Sequence, residues 1–455
     1  MTTAHITYWV VTLLLFGALF VLARNLKMKL WARVLIGLGL GGVMGFVFGG
    51  GAAGCAESAG CVPVSTKFLG DAFVRLIRML IVPLIFTTLT AGVIAMGDPK
   101  RLGSLGARTI GMYMGTTIIA VSLGLLFGTL FQPGVGVDLS TVDLSSIDSV
   151  KGIIATGDAA GGIVDRLLAI IPESPVAALA TTNVLAIIFW AILFGTGILL
   201  AGDAAKPVAK VIEASADAVL KVTEIIMEVA PYGVYASMAW VISTQGLDIL
   251  VNLGKLTLAL YLACFLHIII TYGSIIKFIN KLPVKRFFGG IVDAQAVAYS
   301  TDSSNATLPV TIANVTDNLG VDKSVSGSVL PLGATINMDG TAIYLGLVAL
   351  FASQALDIPL DATHYFMIAL TATLASIGAA GIPSAGLLLA ATVLSVFGVT
   401  AEQSVLIIAL IFPFDRLLDM MRTVTNVSGD AAVAVTVAKW EGALDEEVFK
   451  AKPVA

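Results

Sequence analysis

Apolar runs of membrane-span length follow one another along the chain, at about residues 6–22, 31–48, 68–96, 105–131, 175–200, 214–242 and 250–278. A helix needs roughly 20 apolar residues to cross the hydrocarbon core of a bilayer, and a helix satisfies its own backbone groups there. The runs therefore predict an all-α polytopic membrane protein. Composition agrees: 57% of the 455 residues are hydrophobic and 12% charged, against roughly 25% charged in soluble domains, and the mean hydropathy is +0.96. No polar segment is long enough to form a separate soluble domain. The net charge of −4 is small, and the basic residues sit in short clusters, so nothing points to a nucleic-acid partner.

Those clusters orient the chain. No basic residue precedes the first run, whereas Arg24, Lys27, Lys29 and Arg33 follow it; this is the reverse of a secretory signal, and it predicts a retained helix with its N-terminus outside. Asp98-Pro99-Lys100-Arg101 and Gln132-Pro133-Gly134 end the third and fourth runs, and an acidic, irregular stretch to about residue 165 suits an external loop. Pro172 and Pro175 punctuate the next run, and Pro231-Tyr232-Gly233 interrupts the one over 214–242. Lys206 and Lys210, then Lys277, Lys281, Lys285 and Arg286, then Lys439, Lys450 and Lys452 mark the inner side, placing the C-terminus in the cytoplasm. Of three cysteines, Cys264 lies in an apolar run, and Cys55 and Cys61 share a Gly/Ala-rich loop where a disulfide requires an oxidising compartment. The histidines His5, His267 and His364 are scattered, with no metal-cluster spacing; His267, inside an apolar run, suits packing better than ligation.

Beyond Lys285 the apolar stretches are broken by polar segments: 299–309 (YSTDSSNATLP), 333–344 (GATINMDGTAIY) and 375–386 (ASIGAAGIPSAG). Irregular backbone at membrane depth is tolerated only where it is buried in protein or lines a cavity, so the three imply one shared polar site. Asn337 and Asp339 stand two apart, which does not put them on one helix face; with Gly333 and Gly340 beside them they predict an unwound turn. Exposed carbonyls, the Asn337 amide and the Asp339 carboxylate make an oxygen shell for a hard cation such as Na+. A kink packed on a neighbouring helix is the alternative. The other two segments combine hydroxyls, Gly or Ala and a proline, as a re-entrant hairpin tip needs for a tight turn with free N–H groups at half-helix N-termini.

The fourth polar feature is the stretch 415–430, DRLLDMMRTVTNVSGD. At helical pitch Asp419, Arg422, Thr423, Asn426 and Asp430 fall on one face, and Met420, Met421, Val424 and Val427 take the others. A buried guanidinium costs about 2.5–3.5 kcal/mol on insertion scales, so Arg422 requires a partner. Either it is an internal ion pair with Asp419 or Asp302, or it forks onto a substrate carboxylate while Asp419 meets a substrate ammonium. The second pairing describes an acidic amino acid, and Asn426 and Asp430 add oxygens for the cation.

Taken together, SSNATLP at 303–309, NMDGT at 337–341, GIPSAG at 381–386 and DMMRTVTNVSGD at 419–430 resemble the signatures of the dicarboxylate/amino acid:cation symporters, the glutamate transporter family, in order and spacing over about residues 31–440. The resemblance implies eight transmembrane helices and two re-entrant hairpins, with the run at 6–22 either the family's first helix shifted early or an extra one. It also implies a homotrimer working by an elevator mechanism. By domain it implies an N-terminal helix at 1–30, mostly scaffold and trimerisation helices at 31–245 (with 68–131 contributing to the mobile part), mostly transport domain with both hairpins at 246–442, and a cytoplasmic tail at 443–455. By position it places substrate against Ser304, Thr341, the backbone around Gly381, Asp419, Arg422, Thr423 and Asn426. One sodium site would use Gly333, Asn337, Asn426 and Asp430; a second, backbone oxygens at Thr335, Ser376, Ile377 and Ala379; a third, Tyr113, Thr116, Thr117, Asn337 and Asp339. Only the resemblance promotes the hydroxyls of Tyr113, Thr116 and Thr117 above helix packing.

Three positions depart from the pattern. Asp302 stands where relatives tend to carry serine or arginine, Asn305 replaces a serine, and Leu345 stands where proton- and potassium-coupled animal relatives carry glutamate, which argues against that coupling. The early N-terminal helix is similar to that of the cystine-transporting branch. The expectation is a sodium-coupled importer of aspartate or glutamate in a bacterial inner membrane, not an enzyme and needing no cofactor beyond the coupling ion. The alternative within the class is a transporter of cystine, a neutral amino acid or a dicarboxylate, possibly on a different cation. An intramembrane hydrolase using Ser303 or Ser304 lacks a His or GxSxG element to accompany it, and a purely structural or receptor role leaves the buried charges without a ligand.

Overall fold

A computed structural model describes residues 3–50, 61–94, 106–137, 171–181, 184–377, 379 and 384–452. Among them the chain is all-helical, and the one extended pairing is an isolated antiparallel bridge, Val321 with Leu444. The helices, numbered here in chain order, are α1 Thr3–Arg24, α2 Leu30–Phe48, α3 Lys67–Ile94, α4 Ala107–Phe131, α5 Pro175–Ala180, α6 Val184–Ala201, α7 Lys206–Met227, α8 Ala230–Gln245, α9 Asp248–Leu266, α10 Val284–Gly290, α11 Val292–Thr301, α12 Ser304–Ala313, α13 Lys323–Ile336, α14 Asp339–Ala355, α15 Ala362–Ile377, α16 Ala385–Leu394, α17 Ala401–Trp440 and α18 Glu446–Lys450. Among the described residues five stretches are long and apolar enough to cross a membrane: Thr3–Arg24, Ala107–Phe131, Ala186–Met227, Asp248–Ile279 and Lys323–Ala355. Shorter apolar helices cover Ala32–Phe48, Ile85–Ile94 and Ala362–Ile377.

The breaks follow the punctuation in the sequence. Pro231 occupies the first turn of α8, where a missing N–H costs nothing, so the interrupted run over 214–242 becomes two helices, α7 and α8. The run over 175–200 also divides, into α5 and α6. After α9 the helix continues through two wider turns, His267–Tyr272 and Ile275–Ile279, with i→i+5 hydrogen bonding. Such turns shift the register of side chains and are frequent at functional sites.

The N-terminal run is a packed helix. Tyr8 Oη and Thr66 Oγ1 are 2.7 Å apart, and Thr12 Oγ1 and Tyr235 Oη 2.8 Å, while Ile6, Val10, Leu13, Leu14 and Phe20 are exposed, as lipid contact requires. Cys61 is disulfide-bonded and Cys264 is free and buried; Cys55 lies outside the described residues, as do the loop over 138–165 and the Asp98-Pro99-Lys100-Arg101 turn.

The centre of the molecule is α17, 40 residues long and so roughly 60 Å at 1.5 Å per residue. It is started by a reciprocal cap in which Thr400 Oγ1 accepts from the Gln403 N–H and Gln403 Oε1 accepts from the Thr400 N–H. Around it pack α9, α11, α12, α13, α14 and α16, with α2, α4 and α8 also touching it; α2 and α3 pack on α8, and α6 and α7 on α3. Two helix pairs pack against α17: α11 and α12 meet at Asp302-Ser303, and α16, which begins after Ser384, lies between α15 and α17.

Candidate functional site

The stripe on α17 is buried throughout. Arg422 is fully buried, as are Asp415, Asp419, Thr423, Asn426 and Asp430 to within a few per cent. Arg422 Nη2 lies 2.9 Å from Asp419 Oδ1 and donates to Asp415 Oδ1 at 3.1 Å, and the guanidinium carbon sits 4.1 Å from the centre of the Tyr344 ring. Its Nε and Nη1, like Tyr344 Oη, have no directed hydrogen-bond partner. Of the two internal partners expected for Arg422, Asp419 is one. Asp302 is not: it pairs with Arg416, Nε to Oδ2 at 2.5 Å, because α17 turns Arg416 toward the α11–α12 turn.

Both helix pairs reach this point. At the first, Asp302 ends α11 with φ +53°, its N–H donating to Ala298 O, and Ser303 caps α12 by accepting from the Ala306 N–H at 3.1 Å. Ser304 is thereby the first, buried residue of a half-helix. At the second, the Ser384 N–H donates to Asp419 Oδ2 at 2.6 Å. A methyl on Gly386 would strike Arg422 Nη1 and Thr341, so Gly386, Arg422 and Thr341 converge from three elements. Gly381 lies outside the described residues. Ser304, Thr341, Asp419, Arg422, Thr423 and Asn426 are all buried.

The turn expected around Asn337 and Asp339 is present. α13 ends at Ile336 and α14 begins at Asp339, with Asn337 and Met338 between them off the helical path. The facing side of α17 satisfies what the break exposes: Asn426 Oδ1 accepts from the Gly340 N–H at 2.8 Å, and Asn337 Nδ2 donates to Asp430 Oδ1 at 3.0 Å and to Asn426 O at 3.4 Å. Gly340 is required here because a Cβ would collide with the Arg422 backbone, and at Gly333 a Cβ would collide with Asp430 Oδ1 and Tyr113 Oη. From α4, Thr117 Oγ1 donates to Asp339 Oδ1 at 2.6 Å, Thr116 Oγ1 reaches Asn337 Oδ1 at 3.5 Å, and Tyr113 Oη donates to Val329 O at 3.0 Å.

Two partners of Asp339 were not anticipated. His267 Nε2 lies 3.1 Å from Asp339 Oδ2, with Thr271 Oγ1 at 3.2 Å from its Nδ1, and Tyr272 Oη donates to the same carboxylate oxygen at 2.7 Å. His267 thus does more than pack. Its place in an apolar run was the available signal, and the wider helical turns that aim His267 and Tyr272 inward have no such signature.

The set Thr335, Ser376, Ile377 and Ala379 lies where α13 and α15 meet; Thr335 Oγ1 bonds Leu332 O, and Ser376 O accepts from the Ala379 N–H at 3.0 Å.

Among the described residues every buried acid belongs to this one assembly: Asp302, Asp339, Asp415, Asp419 and Asp430. Two buried arginines, Arg416 and Arg422, oppose them, and the third, Arg33, pairs instead with Glu228 at 2.9 Å. Five carboxyl groups face two guanidiniums and the His267 imidazole, so not every one of them has a guanidinium to itself, and a carboxylate buried without a cationic partner is costly. The donors around Asp339, Asn337 and Asp430 are oxygens of carboxylate, amide, hydroxyl and backbone, the ligands of a hard cation. No three His, Cys, Asp or Glu side chains converge on a common point among the described residues.

Comparison with known proteins gives the same direction. Residues 30–440 match the family model described as the Sodium:dicarboxylate symporter family, which leaves α1 and α18 outside the matched region. The chain is 36% identical over 381 residues to a C4-dicarboxylate transport protein of Geobacter sp. (strain M21), covering 83% of this chain and 85% of that one. It is 35% identical over 421 residues to C4-dicarboxylate transport protein 2 of Pseudomonas paraeruginosa, covering 92% of each. It is 32% identical over 425 residues to a proton/sodium-glutamate symport protein of Bacillus caldotenax, covering 93% of this chain and 97% of that one.

Proposed function

The chain belongs to the sodium:dicarboxylate symporter family, a family of transporters and not of enzymes, and on that premise we propose that it imports an acidic amino acid, aspartate or glutamate, coupled to Na+. The observation that carries this reading is the side-by-side burial of Asp419 and Arg422, 2.9 Å apart, beside Ser384 at the start of α16. A buried carboxylate answers an ammonium, and a guanidinium with undirected Nε and Nη1 donors answers a carboxylate. The N–H groups of Ser304 and Asn305 at the start of α12 suit a second carboxylate. Coupling follows from geometry: Asn426 accepts from Gly340 and abuts Asn337, so a cation among Asn337, Asp339 and Asp430 fixes the same helix segment that presents Thr423, Arg422 and Asp419.

In this reading the helix pairs α11–α12 and α15–α16 are the two re-entrant hairpins, residues 246–442 form most of a transport domain, residues 31–245 most of a trimerising scaffold, and the transport domain moves as an elevator in the cytoplasmic membrane with the C-terminus inside. A second reading, transport of a C4-dicarboxylate, is favoured by the names of two of the three relatives. Purified protein in proteoliposomes separates the two. Under an inward Na+ gradient aspartate should accumulate and unlabelled succinate should compete poorly; preferential succinate uptake would establish the second reading, and sodium-independent behaviour of all substrates would refute both.

A further inference from the structure

We propose that Asp302 sets the selectivity of this site: by pairing with Arg416 it offsets a second positive charge beside the substrate, so that a dicarboxylate lacking an ammonium is rejected. The inference rests on the acidic-amino-acid reading above and names a residue that decides it.

Arg416 is the other buried arginine of the assembly, 4% exposed, and Asp302 is 1% exposed. Asp302 comes from the turn between α11 and α12 and is held there in the left-handed region at φ +53°, which an aspartate tolerates better than most side chains. Two residues on is Ser304, buried at the start of α12. Arg416, the partner of Asp302, directly follows Asp415 and stands three residues before Asp419 on α17, and Asp415 and Asp419 both reach Arg422, so the Asp302–Arg416 pair adjoins the Arg422 cluster. It therefore stands at the substrate side of α17, not behind it.

The pair with Arg416 is close but poorly directed. Although Nε and Oδ2 are 2.5 Å apart, neither oxygen of Asp302, and neither Nε nor Nη1 of Arg416, makes an aligned hydrogen bond. Asp302 thus neutralises the charge of Arg416 without using up its donors.

The consequence depends on substrate charge. An acidic amino acid brings an ammonium for Asp419, one carboxylate for Arg422 and a second carboxylate for the start of α12. A C4-dicarboxylate of the same length brings the same two carboxylates and no ammonium; it therefore carries one more net negative charge, leaves Asp419 opposed by like charge and requires one more positive charge in the site. Arg416 is the buried candidate, and Asp302 cancels it.

The test is uptake of aspartate and succinate by the full-length protein in proteoliposomes under a Na+ gradient. D302N should raise the succinate-to-aspartate ratio about tenfold or more, as expected for one unit charge freed near the substrate in a partly desolvated site. D302N strands a buried guanidinium and is open to misfolding, so D302N/R416Q, which strands nothing, is measured beside it; the double variant should return the ratio to the wild-type range. An unchanged ratio in D302N that still takes up aspartate, or a succinate gain in the double variant, overturns the proposal. Wild-type protein that accumulates neither substrate would instead refute the functional reading on which it rests.

Discussion

Arg422 is restrained by three groups that leave much of it unused: Asp415 and Asp419 both engage Nη2, Tyr344 covers the guanidinium face, and Nε and Nη1 have no directed partner. Buried donors without partners are rare in folded proteins and usually have a reason; in the proposed function that reason is a forked substrate carboxylate. Arg422→Ala should therefore weaken aspartate binding by about a hundredfold or more, since a charge-assisted hydrogen bond contributes roughly 1.5–3 kcal/mol and two are lost. Calorimetric titration in Na+ buffer checks this, and unchanged aspartate affinity would sink the assignment. At this scale the sequence was informative about α17, whose 3.6-residue periodicity places Asp419, Arg422, Thr423, Asn426 and Asp430 on one buried face. It was silent about cross-chain partners. That Asp302 meets Arg416, or that His267 and Tyr272 meet Asp339, depends on how separate helices are rotated against each other, which no local pattern records.

Among the elements, the break between α13 and α14 has the greatest consequence, because it aims Asn337 and Asp339 at α17. Two glycines permit the close approach. Gly340→Ala would drive a methyl into the Arg422 backbone, and overpacking of this kind costs about 1–3 kcal/mol. The variant should melt lower and bind both Na+ and aspartate more weakly, since the contact lies between the two groups of residues; wild-type melting with wild-type Na+ response would show that the two helices are not rigidly apposed. The break was legible in advance because Gly, Asn and Asp cluster within an apolar run, whereas the helix boundaries at 227–230 were legible only approximately, the Pro231 signal marking the first turn and not the gap itself.

The end of the chain is a second element with a defined role. Glu446 of α18 accepts from Lys439 Nζ at 2.8 Å and from Lys450 Nζ at 3.0 Å, while the Lys439 ammonium also reaches Asn280 O and Arg286 donates to Lys450 O. Hydrogen bonds from the two ammonium groups hold the Glu446 carboxyl down at about 2, below its ordinary 4.5. Its folded value lies below the unfolded one, so the tie is fully present above about pH 4.5 and is lost as pH falls through about 2. The carboxylate is exposed, so the contribution is small and screened by salt. Glu446→Gln should speed amide hydrogen exchange in α18 and leave the melting temperature nearly unchanged; a large fall in melting temperature would contradict a local tie.

For the whole molecule, the decisive fact is that all buried acids among the described residues gather in one place with too few arginines to balance them. An isolated buried charge is too costly to persist, so cations should be part of the occupied state. Because Asn426 links the Asn337–Asp339 turn to the face carrying Arg422, cation and substrate occupancy should be thermodynamically linked, each raising affinity for the other by the same factor. The most direct test is the Kd of aspartate measured by calorimetry across a series of Na+ concentrations at constant ionic strength. Affinity should rise with Na+ with a log–log slope of about two or more, choline should not substitute, and Asp339→Asn should flatten the slope. Aspartate binding that is tight and indifferent to Na+ would contradict the account.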